Sequence, residues 1–331
     1  DTPSDAQPMI NDPSEDYTLV FSDEFNDTVI DISKWTVQDE FYRDRGDIKL
    51  YADGDQIEER DGHMFIYYLK DQTRTDSYLA GRVDSKGKYS ATYGFMECKM
   101  HLIKPNGHQT AFWMMPEGNG MSVPEGVDGT ANDGAEIDII EGNKTNTFSC
   151  GMHYDGYGSD HKHIGKNVEA TGMHEIEYHI IGFEWDVNYL RWYFNGEVVY
   201  ETSNSSLIPH VPHYLYFSGS IWGNSTWVDG SIFTNNYIQM GGVDKAYVDW
   251  VRVYQKPYED HKPVLSFSTQ TGTGELDKKS NTVIYPNPAN SIVLFSEEIS
   301  SIRLFSYNGK LLKSLQSVSQ LDVSEINTGL Y

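Results

Sequence analysis

Three carboxylates lie close together in the segment Gly134-Ala-Glu-Ile-Asp-Ile-Ile-Glu-Gly142. In a regular strand Glu136 and Asp138 point to the same face, because side chains alternate with a period of two residues. Glu141 would then point to the opposite face. A β-bulge around Ile139–Ile140 would add one residue to the strand and return Glu141 to the face of the other two acids. The spacing therefore predicts a bulged strand with three acids on one face.

Acids arranged in this way could cleave a glycosidic bond with retention of configuration. That chemistry needs one ionised nucleophile and one protonated acid, with carboxyl groups about 5–5.5 Å apart. A third acid between them can share a proton and separate their pKa values. The pattern alone leaves two other interpretations open: an exposed strand face whose acids have no special role, or a Ca²⁺ site.

The elements that would position these acids are short strands. From Tyr17 to Tyr254, strand-like runs alternate with Gly, Asn and Asp turns, without convincing amphipathic helices. Asn195-Gly196 lies between two such runs and is a favoured hairpin turn. Trp185 and Trp192 fall in hydrophobic runs and are expected in the core. The pattern predicts an all-β fold, a jelly-roll β-sandwich with an open substrate cleft.

Composition divides the chain into four parts. Residues 1–16 are polar and rich in proline, and are predicted to be a flexible lead. Residues 17–256 carry the strand pattern of the main β domain. Residues 257–280 are small, polar and unpatterned, as in a linker. Strand-like alternation returns in 281–331, which predicts a small C-terminal β-sandwich module.

Charge and hydropathy exclude several classes of protein. The chain has 25 Lys plus Arg and 49 Asp plus Glu, a net charge of −24. This excess argues against binding to nucleic acid or to anionic membranes. No apolar run is long enough for membrane insertion. The polar start Asp1-Thr-Pro-Ser is expected to be a mature N-terminus after processing. Cys98 and Cys150 could pair or stay free thiols.

Several ordered motifs resemble glycoside hydrolase family 16, whose members are β-jelly-roll enzymes that cleave β-glucans and galactans with retention. The Glu-x-Asp-x-x-Glu signature of the family is complete at 136–141. The further matching stretches are Val20-Phe-Ser-Asp-Glu-Phe25, Gly81-Arg-Val-Asp-Ser-Lys86, Tyr93-Gly-Phe-Met-Glu97, Ala111-Phe-Trp-Met-Met-Pro116 and Val248-Asp-Trp-Val-Arg-Val-Tyr254. The resemblance implies that Glu136 is the nucleophile, Glu141 the acid/base and Asp138 the assisting acid between them.

Four residues are candidates for substrate binding. Trp113 resembles the cleft tryptophan of the family, and His153 would lie on the neighbouring strand and face the cleft. Trp222 and Trp227 lie on a Gly- and Ser-rich stretch, where an exposed indole is costly unless a ligand covers it. The alternative for Trp113 is a core position, and for His153 a structural role.

The resemblance also implies a structural Ca²⁺ on the convex side of the sandwich, with no cofactor needed for catalysis. The matching positions are the carbonyl of Gly62 and the carboxylate of Asp249, with Glu24 as a third. The ion would hold the N- and C-terminal strands together. Asp249 could instead be an ordinary partner for Arg252 or for a backbone amide.

The loops around the acids are expected to determine the polysaccharide. They comprise 117–130 before the catalytic strand and Tyr154-Asp-Gly-Tyr-Gly-Ser-Asp-His-Lys-His163 after it. The prediction is a secreted endo-β-glycosidase that acts as a monomer, with β-1,3- or mixed-linkage glucan favoured. The Lys and His residues of the loops would also suit a marine sulfated galactan. The residues leave room for a transglycosylase or for a non-catalytic glucan-binding lectin on the same fold.

The C-terminal part resembles the sorting domain of type IX secretion, which is found in Bacteroidetes-type bacteria. The motifs are Ile284-Tyr-Pro-Asn-Pro-Ala289, Leu304-Phe-Ser-Tyr-Asn-Gly-Lys310, Leu321-Asp-Val-Ser324 and Thr328-Gly-Leu-Tyr331. The resemblance implies export across the outer membrane and a secretion machinery as partner. Such domains run one or two strands further, so this domain is expected to be incomplete. A carbohydrate-binding or immunoglobulin-like module is the alternative.

Overall fold

The computed structural model describes residues 6–9, 17–117, 127–256, 284–285, 292–305 and 311–322. It divides the chain into two compact units, Asp1–Lys256 and Pro257–Tyr331. The predicted linker, 257–280, and most of the predicted lead, 1–16, lie outside the described residues.

Two β-sheets form the first unit. One has the strand order β17-β16-β15-β10-β19-β6-β7-β4-β3, with β1 paired to β19 and β5 to β6. The other has the order β14-β13-β12-β11-β18-β8-β2, with β9 paired to β18. This arrangement confirms the predicted all-β class. The strands are β1 (Thr18–Asp23), β2 (Thr36–Val37), β3 (Phe41–Asp44), β4 (Lys49–Ala52), β5 (Ile57–Arg60), β6 (His63–Lys70), β7 (Ser77–Ala80), β8 (Arg82–Asp84), β9 (Ser90–Ala91), β10 (Gly94–His101), β11 (His108–Pro116), β12 (Glu136–Gly142), β13 (Thr147–Tyr154), β14 (Lys162–Glu169), β15 (His179–Trp185), β16 (Leu190–Phe194), β17 (Glu197–Thr202), β18 (His213–Ile221) and β19 (Val243–Gln255).

The core contains large aromatic side chains from both sheets. Trp185 and Trp192 are fully buried, which confirms the core positions predicted for them. Nε1 of Trp192 in β16 donates to the backbone oxygen of Asp138 in β12 at 2.9 Å. The hydroxyl of Tyr68 in β6 donates to the backbone oxygen of Gln109 in β11 at 3.1 Å. These bonds join the two sheets at β12 and β11, the strands that carry the candidate site.

The turn Asn195-Gly196 joins β16 to β17, as the sequence predicts. Its two residues have φ angles of 51° and 84°. Positive φ at both positions is what a type I′ turn requires, and asparagine and glycine adopt it at little cost. Phe194 and Glu197 pair directly across the turn. The predicted hairpin is therefore confirmed.

The helical segments of the described chain are short. They are the 3₁₀ turns Met173–Glu175, Ser205–Leu207 and Ile232–Thr234, and the α-helix α1 (Asn236–Gln239). The side chain of Asn235 accepts a hydrogen bond from the backbone N–H of Ile238 and caps α1. Within the described residues, no helix has the length and apolar character needed to cross a bilayer.

Both cysteines are buried free thiols. Cys98 lies in β10 and Cys150 in β13, which belong to different sheets. Burial, with the charge of Glu97, raises the pKa of Cys98 well above its usual value. Burial raises the pKa of Cys150 to about 12. Because the thiolate is the reactive form, both thiols are expected to be inert near neutral pH.

The second unit contains a three-stranded antiparallel sheet with the order β20-β21-β22. Its strands are β20 (Ile284–Tyr285), β21 (Ile292–Phe305) and β22 (Leu311–Asp322). These strands agree with the alternation in the sequence. The predicted motif at 328–331 lies outside the described residues, and the sandwich form of this module stays a prediction.

Candidate active site

The bulge predicted in β12 is present. Asp138 pairs with Gly151 of β13 and Glu141 with Ser149, so that Ile139 and Ile140 together face Cys150 alone. The pairing of β12 with β11 also shifts by one residue at the same place. The extra residue returns the side chain of Glu141 to the strand face of Glu136 and Asp138. Glu136, Asp138 and Glu141 therefore share one face of β12, called here the acid face.

The opposite face of β12 anchors the strand in the core. Ile137, Ile139 and Ile140 are at most 1% exposed, and burial of each stabilises the fold by about 1.5–3 kcal/mol. Across the sheet, a Cβ atom added to Gly151 would lie 2.2 Å from the backbone oxygen of Ile164. Only glycine therefore fits opposite Asp138. The acids stand on a rigid strand and not on a loop.

Burial and mutual repulsion control the protonation of the acid face. Burial raises the pKa of Asp138 well above its usual range, and the charges of Glu141 and Glu136 raise it further. Burial and repulsion from Glu136 raise the pKa of Glu141 to about 7. Burial also raises the pKa of Glu136. Because like charges this close cannot all ionise at neutral pH, the three groups hold protons between them.

Two different environments distinguish the two outer acids. Glu136 accepts a hydrogen bond from the hydroxyl of Tyr157, and this bond together with the charges of Arg43 and Arg82 favours its ionised form. Glu141 accepts a hydrogen bond from Nε2 of Gln109 at 2.6 Å. Opposing environments of this kind separate the roles of paired carboxyl groups.

Gln109 links Glu141 to Trp222. The indole Nε1 of Trp222 donates to Oε1 of Gln109 at 2.9 Å, which leaves the Gln109 amide nitrogen directed at Glu141. The guanidinium of Arg45 lies 3.6 Å above the centre of the Trp222 ring. One face of Trp222 is thus covered by a protein side chain. The structure places this tryptophan beside the acid face, where it orients Gln109.

Trp113 is the cross-strand neighbour of Asp138. Its ring stacks on Tyr216 of β18, with ring centres 4.3 Å apart and an angle of 17° between the planes. Its Nε1 donates to Oγ of Ser218 at 3.0 Å. Trp113 is half-buried. The structure therefore brings Trp113 beside the acid face, with its ring held by two partners.

His153 is the cross-strand neighbour of Glu136. Its Nε2 lies 3.5 Å from Oδ2 of Asp138, and its Nδ1 lies 2.8 Å from Nε2 of His161. Burial, with repulsion from His161 and His163, lowers the pKa of His153 to about 4. The structure thus places a neutral imidazole against the acid face.

Trp227 lies apart from the other candidates, in a side pocket of about 420 Å³. It is 38% exposed. The pocket begins just beyond the end of β12, since Asn143 directly follows Gly142. Five of its eight lining residues carry amide or hydroxyl side chains, and these surround one indole, a combination that suits a sugar ring. The lining residues are Asn143, Lys144, Asn146, Thr147, Asn167, Thr226, Trp227 and Asp229.

Three arginines lie near the acid face. Arg45 donates to Oγ of Ser220 at 2.6 Å, and burial together with repulsion from Arg43 and Arg82 lowers its pKa to about 10. Nε of Arg82 lies 3.4 Å from the hydroxyl of Tyr216. We call Arg43, Arg45 and Arg82 the arginine cluster. The sequence gives no signal for this cluster, because Arg43 and Arg45 lie at β3 and Arg82 lies in β8, far apart in the chain.

The residues predicted to bind calcium have cationic partners. Both oxygens of Glu24 accept hydrogen bonds from Arg252 at 2.8 Å. Asp249 forms an ion pair with Lys99 at 2.5 Å, not with Arg252. A dication at these oxygens would have to displace an ammonium and a guanidinium group or lie beside them, so the contacts do not fit a calcium site. The predicted binding of Ca²⁺ by Gly62, Asp249 and Glu24 stays a prediction.

Residues 18–256 match the family model described as beta-porphyranase A–D, GH16 domain. The chain belongs to this group of glycoside hydrolase family 16. Residues 283–331 of this family 16 protein match the secretion system C-terminal sorting domain. That match confirms the predicted sorting domain and indicates export by type IX secretion.

Curated relatives of this family 16 chain include enzymes with different substrates. The chain is 25% identical over 270 residues to glucan endo-1,3-beta-glucosidase A1 of Niallia circulans, and this alignment covers 72% of the chain. It is 29% identical over 257 residues to keratan-sulfate endo-1,4-beta-galactosidase of Sphingobacterium multivorum, which covers 73% of this chain. The chain spans 38% and 56% of the lengths of these two relatives.

Solved structures share the fold. The laminarinase catalytic domain of Thermotoga maritima superposes with a TM-score of 0.60 at 24% identity, covering 73% of this chain and 100% of its own. The laminarinase of Rhodothermus marinus gives a TM-score of 0.60 at 20% identity, covering 74% and 99%. These likenesses confirm the predicted jelly roll.

Proposed function

We propose that this family 16 protein is a retaining endo-β-glycosidase that hydrolyses internal linkages of a sulfated galactan of the porphyran class. The reaction rests on one observation, the common acid face of Glu136, Asp138 and Glu141 on the bulged strand β12. Burial raises the pKa of each of these acids. A protonated acid and an ionised nucleophile can then coexist near neutral pH.

In the first step Glu136 is the nucleophile. One of its carboxylate oxygens bonds to the anomeric carbon while the glycosidic C–O bond breaks, and Glu141 gives its proton to the departing oxygen. The Tyr157 hydroxyl bonded to Glu136 and the nearby Arg43 and Arg82 favour the ionised form of Glu136, against the effect of burial. The product of this step is a glycosyl-enzyme ester.

In the second step Glu141 is the base. It takes a proton from a water molecule, whose oxygen bonds to the anomeric carbon and releases Glu136. Two displacements at the same carbon restore its original configuration. Asp138 holds a proton between the two glutamates, because it is the most deeply buried of the three acids and is repelled by both. We assign it the role of separating their pKa values.

The arginine cluster supports a sulfated substrate. The whole chain carries a net charge of −24, which repels a polyanion at long range. A local group of guanidinium ions offsets that repulsion, because their planar donors match the oxygens of an anion. Arg45 is half-buried, with its guanidinium over the ring of Trp222 beside the acid face. The family match to beta-porphyranases agrees with this preference.

A neutral β-1,3- or mixed-linkage glucan is the second candidate. The sequence favoured it, and curated relatives named as glucanases support it. Such a polymer has no anion for the arginine cluster. A non-catalytic lectin is less consistent with the site, because a binding protein has no need for three buried acids with raised pKa values. The monomeric state stays a proposal, which light scattering would test.

The experiment is a substrate panel with a matched chemical control. Purified protein is incubated with porphyran, desulfated porphyran, agarose, κ-carrageenan, laminarin and mixed-linkage glucan, and oligosaccharide release is followed by chromatography. We expect the highest kcat/KM on porphyran and a loss of at least about tenfold after desulfation, since hydrogen bonds to charged groups contribute about 1.5–3 kcal/mol. The Glu136→Gln variant should release nothing. A higher kcat/KM on laminarin would overturn the proposed substrate.

The side pocket gives a further expectation for the same reaction. We assign it to a sugar ring that stacks on Trp227, because an indole among amides offers both an apolar face and hydrogen-bond partners. Trp227→Ala should raise KM by about tenfold with little change in kcat, the pattern for loss of uniform binding. The control is Trp250→Ala. Trp250 lies in β19, which belongs to the sheet without β12, and Arg252 covers its ring. This variant should leave KM unchanged.

A further inference from the structure

The proposed hydrolysis leaves one feature of the cleft unexplained, the imidazole beside the acids. His153 pairs across the sheet with Glu136 on one side and with His163 on the other. One ligand atom each from Glu136, Asp138 and His153 lies within 4.8 Å of the others. One imidazole and two carboxylates form a donor set that zinc-class ions bind in proteins.

The distance between His153 and Asp138 suits a metal better than a hydrogen bond. The 3.5 Å between Nε2 and Oδ2 exceeds the usual length of a hydrogen bond from a ring nitrogen. A tetrahedral ion about 2.1 Å from each of two donors holds those donors about 3.4 Å apart. The two atoms therefore already have the separation that a bridging ion would impose.

A second histidine orients the first. His153 Nδ1 lies 2.8 Å from His161 Nε2, and the two ring planes are inclined by 14° with centres 5.0 Å apart. When Nδ1 of His153 donates to His161, the lone pair of Nε2 points toward Asp138. Metal-binding imidazoles are commonly held through their other nitrogen in this way. His161 thus has the position of a partner that supports a ligand.

We propose that Glu136, Asp138 and His153 bind a divalent transition-metal ion of the zinc class, and that the bound ion blocks the cleft. A dication would offset the charge repulsion between two neighbouring carboxylates on the same strand face. Imidazole favours Zn²⁺ or Cu²⁺ over Ca²⁺. The ion would occupy the nucleophile Glu136 and prevent its attack on the sugar.

Direct binding is measured first, on the full chain freed of metal with a chelator. Co²⁺ is titrated while the visible absorption of a tetrahedral site is recorded, and Zn²⁺ is titrated by calorimetry. We expect one ion per chain in the wild type, and affinity at least about tenfold weaker in His153→Gln and His161→Gln. His163→Gln is the matched control, since it removes a neighbouring histidine outside the ligand set, and its affinity should match the wild type.

Two results would overturn the proposal: no Co²⁺ or Zn²⁺ binding to the wild type, or unchanged affinity in His153→Gln. Thermal melts show whether the variants are folded. If His153→Gln does not fold, Asp138→Asn supplies the same test, because it removes the carboxylate oxygen that faces Nε2. Unchanged Zn²⁺ affinity in folded Asp138→Asn would also overturn the site.

Inhibition is measured second, and this arm rests on the proposed function. Zn²⁺ should stop hydrolysis of porphyran at the concentration at which it binds, and excess EDTA should restore the full rate. Binding without inhibition would overturn the assignment to the acid face. Absence of hydrolysis in metal-free buffer, with Zn²⁺ binding intact, would refute the proposed function while supporting the metal site.

Discussion

Replacement of Gln109 by leucine removes the hydrogen bond that favours the ionised form of Glu141. Nε2 of Gln109 lies 2.6 Å from Oε1 of Glu141. This bond opposes burial and the repulsion from Glu136, which raise the pKa of Glu141 to about 7. A hydrogen bond to a charged group contributes about 1.5–3 kcal/mol, so its loss should raise that pKa by about one to two pH units.

The sign of the effect on activity follows from the role of Glu141 as the acid. The first step needs Glu141 protonated, so kcat/KM falls as pH rises through its pKa, near 7 in the wild type. In Gln109→Leu this alkaline limb should move to higher pH, and the acidic limb, assigned to Glu136, should stay. The assay is kcat/KM on a soluble oligosaccharide across the pH range that shows both limbs.

A matched control separates this bond from its neighbour. Trp222→Phe removes the 2.9 Å bond from Trp222 Nε1 to Gln109 Oε1 and leaves the bond from Gln109 to Glu141 in place. Its alkaline limb should therefore move less than that of Gln109→Leu, because the donor to Glu141 is still present. An alkaline limb that stays fixed or moves to lower pH in Gln109→Leu would refute the assignment of Glu141 as the acid.

Three further predictions test the acid, the strand and the metal. Glu141→Gln should lose hydrolysis of the polymer but still form the glycosyl-enzyme with a substrate that has an activated leaving group, because such a group departs without a proton. A burst of released leaving group in stopped-flow measurements detects this step. Absence of the burst would argue against Glu141 as the acid. Trp192→Phe should lower the free energy of unfolding by about 1–3 kcal/mol, because the backbone oxygen of Asp138 loses its buried partner; equal denaturation midpoints would contradict this. Excess EGTA should leave Tm unchanged, because Lys99 and Arg252 already pair with Asp249 and Glu24. Bound calcium at a hundred times its Kd would stabilise the fold by about 2.7 kcal/mol, which corresponds to about 5–10 °C in Tm for a domain of this size. A fall in Tm of that size on adding EGTA would therefore support the calcium site.

The geometry of the catalytic strand could be predicted from its sequence. The i, i+2, i+5 spacing of the acids conflicts with the two-residue period of a strand, and only an inserted residue resolves the conflict. The bulge at Ile139 and Ile140 follows from that arithmetic. The hairpin at Asn195-Gly196 follows likewise from local backbone preferences. Both features depend on a few adjacent residues.

The surroundings of the acids could not be predicted in the same way. Arg43 and Arg82 come from β3 and β8, whose distance from β12 is set by the order of strands in the sheets. Tyr157 reaches Glu136 from a loop, and loop side chains have no periodicity to read. Gln109 carries no signal in sequence that distinguishes it from an ordinary strand residue. Contacts of this kind depend on tertiary structure.

Trp222 has contacts that its sequence environment does not reveal. It lies on a Gly- and Ser-rich stretch, where the sequence predicts a residue that binds substrate. The structure covers one face of its ring with Arg45 and uses its N–H to hold Gln109. The composition of the stretch indicates an indole near the surface. Arg45, which covers the ring, follows the end of β3 and is far away in the chain.

The stereochemistry of the first product tests the central claim most directly. The acid face is proposed to act by double displacement through Glu136, so the newly formed reducing end should carry the β-configuration of the bond that was cut. Proton NMR recorded during the first minutes of hydrolysis distinguishes the β-anomer from the α-anomer before they interconvert. We expect the β-anomer to appear first and the α-anomer later, by mutarotation. Initial release of the α-anomer would contradict it.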